Sequence, residues 1–206
     1  KRARSLNPLN TDHTANLARL CRTWAGVTSD PQLRQQKLSE ADSYYAEATR
    51  LSPYNAVLVN EWGRTLIDRG LAEQGLAKYQ QSLALDDRFA QTYLLLGDYY
   101  LGRQELEKAL PYYQKAAEVD PRSAQAHSTL AYVYSQLQRV PEAIAANLKV
   151  LELYPRDYAT HKNLAILYGQ AGQVEQALRM ATVAREVAPE ADRKALDEFI
   201  AQLKAA

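Results

Sequence analysis

The chain has 206 residues, 47% hydrophobic and 24% charged, with 25 Lys and Arg against 24 Asp and Glu. That balance excludes a disordered chain, and a formal net charge of +1 with both signs interspersed excludes the concentrated positive field a nucleic-acid partner requires. No run reaches the roughly 18 apolar residues of a membrane span, so no direct membrane insertion is expected, and the single Cys21 excludes an internal disulfide or a cysteine-built zinc site.

An internal period organises everything else. Pro53, Asp87, Pro121, Pro155 and Pro189 are each 34 residues apart, and each closes a helical ending such as AAEVDP or VLELYP. Small residues recur at the same interval at Ala41, Gly75, Ala109, Ala143 and Ala177, and tyrosines at Tyr45, Tyr79 and Tyr113 and again at Tyr100, Tyr134 and Tyr168. Between successive punctuation points lie two amphipathic stretches with apolar residues at helical spacing, joined by a short polar turn. Each unit is therefore predicted to be a helical hairpin. The pairs Trp62-Gly63, Leu96-Gly97, Leu130-Ala131 and Leu164-Ala165 place a large residue between the helices beside a small one that lets the backbones approach.

In chain order, residues 1–10 read as the end of a truncated upstream repeat. The sequence opens Lys1-Arg2-Ala3-Arg4 without an initiator Met, and Ala3 and Leu6 stand at the phases of a last helical turn. Such a severed end is expected to expose apolar surface suited to self-association. Residues 11–55 form a repeat lengthened by an insertion of 11, since Pro8 and Pro53 are 45 apart. Its first helix runs around residues 16–21, and Ser29 or Asp30 caps a long second helix started by Pro31. Regular repeats follow at 56–89, 90–123, 124–157 and 158–191, with a hairpin turn of the 90–123 unit near Gly102-Arg103-Gln104. Residues 192–206 form a capping helix that covers the end of the stack.

This pattern closely resembles the tetratricopeptide repeat, with its period of 34 and its recurring Trp or Leu, Gly or Ala, Tyr, Ala and Pro. The resemblance implies an all-α fold, a right-handed α-solenoid of stacked antiparallel hairpins forming a superhelix of about eleven helices. It also implies a non-catalytic scaffold that holds a protein or peptide partner in a concave groove lined by the first helix of each hairpin. By resemblance the groove residues are Asn16, Arg19, Asn60, Arg64, Asp98, Tyr132, Gln136, Lys162 and Asn163, with Leu94, Gln125, Ser128, Ile166 and Gln170 on the same stripe. Amides there suit a peptide backbone, and Leu or Ile its side chains. The carboxylate clamp of co-chaperone relatives is incomplete, because Asn60, Arg64, Leu95, Gln125 and Thr129 stand at its phases. The asparagine ladder of sugar-transferase relatives is matched only by Asn16 and Asn163.

No phosphate-binding glycine loop, zinc-helix signature or nucleophile elbow is present, so neither a cofactor, a metal nor a catalytic residue is expected. His127 and His161 are 34 apart and read as packing residues, His13 as a surface residue, and Asp86-Asp87 and Glu105/Glu107 as helix-end carboxylates. Residues 6–25, LNPLNTDHTANLARLCRTWA, look like the start of the soluble C-terminal repeat regions of bacterial O-antigen polymerase or ligase-like membrane proteins. That similarity implies an accessory region of a glycan-transfer enzyme at the cytoplasmic or extracytoplasmic face of a bacterial membrane.

Overall fold

The computed structural model describes residues 11–205, so the expected repeat end over residues 1–10 lies outside the described residues. Eleven helices and no strand occur among them: α1 (Thr11–Val27), α2 (Pro31–Leu51), α3 (Ala56–Asp68), α4 (Ala72–Leu85), α5 (Ala90–Gly102), α6 (Leu106–Val119), α7 (Ala124–Gln136), α8 (Val140–Leu153), α9 (Tyr158–Gln170), α10 (Val174–Val187) and α11 (Glu190–Ala205). The chain divides into two compact units, Lys1–Leu96 and Gly97–Ala206, with the division inside α5. None of the described helices is long and apolar enough to cross a membrane.

In the first unit α1 pairs with α2 and α3 with α4, and α2 packs against α3. The first hairpin is long: α1 has 17 residues and α2 has 21, against 13 and 14 in α3 and α4. Asp30 is the cap of α2, accepting from the Gln32 and Leu33 amides with Pro31 in the first turn. The hairpin α3–α4 closes at Gly63 and Gly75. A Cβ at Gly63 would lie 2.8 Å from Tyr79 Cε1, and one at Gly75 2.5 Å from Ile67 Cγ1, so the helices meet at a distance only hydrogen allows.

The second unit contains the remainder of α5, then α6 against α7, the hairpin α7–α8, α8 against α9, the hairpin α9–α10, and α11 against α10. Leu196 of α11 is buried with Ala184 and Ala188, and Tyr158 packs on that cluster, so α11 covers the last hairpin as a capping helix must. Ser123 Oγ accepts from the Ala126 amide at 3.2 Å and Asp157 Oδ2 from the Thr160 amide at 2.8 Å, fixing the starts of α7 and α9 at about 1 kcal/mol each.

The turns inside the hairpins share one conformation. Gly70, Gln104, Gln138 and Gly172, 34 residues apart, have φ values of 85, 60, 57 and 70°. In each, the next amide reaches back five residues to a helical carbonyl, as Glu105 N to Tyr100 O at 3.0 Å and Gln173 N to Tyr168 O at 2.8 Å. The left-handed residue's own amide also reaches back three, as Gln104 N to Leu101 O at 2.9 Å, and this double closure satisfies carbonyls that a helix end leaves free.

Candidate functional site

The predicted stripe behaves differently in the two units. In the first, Asn16 and Arg19 are exposed on α1 but engaged. The Arg19 guanidinium donates to both Glu61 carboxylate oxygens at 3.0 Å and to Asn16 Oδ1 at 3.1 Å, and the Glu61 hydrogen bond raises the Arg19 pKa. Arg22 and Asp68 form a second bridge between α1 and α3 at 3.1 Å. Arg64 is exposed. Asn60 is not a groove residue: it is 3% exposed, its Nδ2 donates to Thr92 Oγ1 at 2.8 Å, and the Thr92 hydroxyl lies 3.1 Å from Ser82 Oγ. Leu94 is likewise buried. Packing of neighbouring helices in this unit covers that phase, and the polar trio satisfies most of what is buried there.

In the second unit Asp98 is exposed and accepts the Tyr113 hydroxyl at 2.7 Å. Burial, and then this carboxylate, raise the Tyr113 pKa. Tyr132, Gln136 and Asn163 come together. They line a depression of about 330 Å³ between α7 and α9, with Ile166 and Gln170 on its far wall. A second basin of about 400 Å³ adjoins it, sharing Ser128, Asn147 and Asn163 and adding Gln125, Tyr154 and Asp157. Lys162 faces elsewhere, lining an apolar dip of about 150 Å³ with Tyr158, Leu196 and Phe199. A further depression, of about 590 Å³, lies at the turns around Tyr54 and Asp86 in the first unit and contains none of the predicted stripe residues.

Asn147 is the residue the sequence reading missed. It belongs to α8, a second helix, whereas the stripe was drawn on first helices alone. The available signal was the tyrosine ladder, which stops at Tyr113 and has Asn where the next ring belongs.

His127 and His161 are structural. His127 Nε2 donates to the Pro121 carbonyl at 3.0 Å and His161 Nε2 to the Pro155 carbonyl at 2.9 Å. Tyr93, at the same phase, donates its hydroxyl to the Asp87 carbonyl at 3.0 Å, so one position in three hairpins ties the first helix to the turn before it. Asp86 Oδ1 accepts from the Arg88 amide. Glu105 precedes α6 without capping it; its carboxylate instead joins Arg103 at 2.8 Å and Lys108 at 2.6 Å, which lower its pKa, Lys108 more than Arg103. Two basic side chains within reach outbid the backbone amides for that carboxylate.

The tetratricopeptide repeat model matches residues 60–118 and 94–158. No curated relative matches the chain, and the likeness of residues 6–25 to O-antigen polymerase or ligase regions gains no support. Among solved structures the fold is similar to the MamA protein, 21% identical over 86% of this chain and 91% of that one, TM-score 0.66. It is also similar to YrrB, described as a tetratricopeptide protein with an unusual peptide-binding site, 19% identical over 92% of each chain, TM-score 0.64. A third similar structure is PilF of Pseudomonas aeruginosa, 16% identical over 95% of this chain and 86% of that one, TM-score 0.68. With the repeat model matching its sequence from residue 60 to 158 and tandem helical hairpins making up its fold, this chain belongs to the tetratricopeptide repeat family.

Proposed function

We propose that this chain is a non-catalytic scaffold that holds an extended segment of a protein partner, and that the segment lies in the groove between α7 and α9. The tetratricopeptide fold is a protein-interaction fold, which supports the general reading. The observation that carries the specific one is the convergence of Tyr132, Gln136 and Asn163 on a single depression. An exposed aromatic flanked by amides offers apolar contact area and paired donors and acceptors for a peptide backbone. In the first unit, by contrast, Arg19–Glu61 and Arg22–Asp68 bridge the corresponding helices. Those pairs would have to break before a ligand could occupy that face. Asp98 and Lys162, both in the second unit, belong to the proposed stripe as flanking charges rather than as its centre. The repeat divisions at 56–89, 90–123, 124–157 and 158–191, with the lengthened first unit, are part of the same proposal.

The test is selection from a library of random linear peptides displayed on phage, followed by fluorescence anisotropy of the enriched sequences. Binding to Tyr132→Ala/Asn163→Ala should fall at least about tenfold, a loss near 1.4 kcal/mol, with circular dichroism unchanged. Enriched peptides that bind this variant and the unaltered chain equally would reject the α7–α9 groove.

A further inference from the structure

The tyrosine ladder of the second helices is interrupted where the groove opens. Tyr45, Tyr79 and Tyr113 stand at equivalent positions of α2, α4 and α6, and all three are buried. The next position is Asn147. The residue facing the ring changes in step. Tyr79 and Tyr113 face Gly63 and Gly97, where a Cβ would lie 2.8 and 2.6 Å from the ring carbons. The equivalent residue of α7 is Ala131. One methyl group replaces only part of a phenol ring, and both Ala131 and Asn147 line the α7–α9 depression.

The floor of this pit is polar and its walls are neutral. Asn147 is 3% exposed. Its Nδ2 donates to the Ala143 carbonyl at 2.8 Å, which leaves Oδ1 as the acceptor of the floor. No Lys, Arg, His, Asp or Glu lines the depression, whose apolar surface comes from the Tyr132 ring with Ala131, Ile166 and Leu167. A charged group entering it would lose hydration without a counter-charge, whereas a ring carrying one hydrogen-bond donor matches both wall and floor.

We infer that the pit receives one tyrosine side chain from an extended, locally uncharged segment of a partner protein. The partner ring lies against Ala131 and Leu167 and its hydroxyl donates to Asn147 Oδ1, while Asn163 and Gln136 meet the peptide backbone beside it. The inference rests on the groove reading above and names the anchor that groove selects. The partner supplies the ring that this hairpin lacks.

Two substitutions separate the parts of the claim. Ala131→Gly/Asn147→Tyr rebuilds the pairing of Gly97 with Tyr113 and fills the pit from within; Asn147→Ala keeps the room and removes the acceptor. Peptides enriched on the unaltered chain from the random display library should share a tyrosine at one position. Labelled versions should bind the filled variant at least about tenfold more weakly, with its melting temperature no lower than that of the unaltered chain. Replacing the peptide tyrosine by phenylalanine should weaken binding to the unaltered chain several-fold and make no difference with Asn147→Ala. That second comparison decides the matter even where the double variant fails to fold. Enriched peptides without a common tyrosine, equal affinity for the filled variant, or a tyrosine-to-phenylalanine effect unchanged by Asn147→Ala would overturn the inference while leaving the groove standing. Enrichment of no peptide at all would overturn both.

Discussion

Gly97 faces the ring of Tyr113 so closely that a Cβ there would sit 2.6 Å from Cε1 and 2.7 Å from Cζ. The contact is with the body of a buried ring rather than with the tip of a flexible chain, so relief requires the helices to separate. Gly97→Ala gains up to about 1 kcal/mol of helix propensity but overpacks the hairpin by about 1–3 kcal/mol. The expected outcome is net destabilisation, read as a lower denaturation midpoint at unchanged slope. A second change, Tyr113→Leu, should recover part of the loss by freeing the space.

The left-handed turn residues lead to a stabilising prediction. Gln104 and Gln138 hold φ values of 60 and 57°, where Gly70 and Gly172 stand in the equivalent turns. A side chain in this region costs about 1–2 kcal/mol, partly offset by the greater freedom that glycine loses on folding. Gln104→Gly and Gln138→Gly should each stabilise the chain by roughly 0.5–1 kcal/mol. Gly70→Ala should destabilise it by a similar amount. Thermal unfolding followed by circular dichroism checks both signs.

Thr92 joins Asn60 and Ser82 in the buried polar trio of the first unit. Thr92→Val keeps the shape and removes the acceptor for the Asn60 amide, at an expected cost of about 1–3 kcal/mol. In an Asn60→Leu background the same change should cost clearly less, because the amide is no longer there to be orphaned. Chemical denaturation of the four members of this cycle measures the coupling. Equal costs in both backgrounds would mean that the amide is satisfied in some other way.

Burial raises the pKa of Tyr45, with Glu61 adding to it, and burial followed by the Asp98 hydrogen bond raises that of Tyr113. The folded state therefore holds these protons more tightly than the unfolded chain. Their contribution is complete below the unfolded tyrosine value of about 10 and is lost as pH rises toward the higher folded values. Above about pH 10 each should add a falling slope of up to about 1.4 kcal/mol per pH unit. Stability measured from pH 8 to 11 should bend downward near pH 10. Tyr45→Phe/Tyr113→Phe should flatten the bend while lowering the plateau.

The hairpins were legible because every signal that specifies them is local: the 34-residue interval, the Gly or Ala beside Trp or Leu, and the cap ahead of α2. The stripe was legible only in outline. Asn60, Leu94, Ser128 and Lys162 share one repeat phase, yet the first two are buried and the last two exposed. Phase gives the direction of a side chain, and exposure depends on what the neighbouring helix places above it. Arg19 shows the same limit, since its partner Glu61 lies 42 positions away.

The sequence by itself thus determined the family, the helical hairpins and the points where their backbones touch, since periodicity and side-chain size act within a single unit. Only the tertiary structure decided where the surface opens. Asn147, at the repeat position where Tyr113 carries a ring, lines the depression between α7 and α9, and what a position in the repeat exposes is set by how the neighbouring helices pack around it.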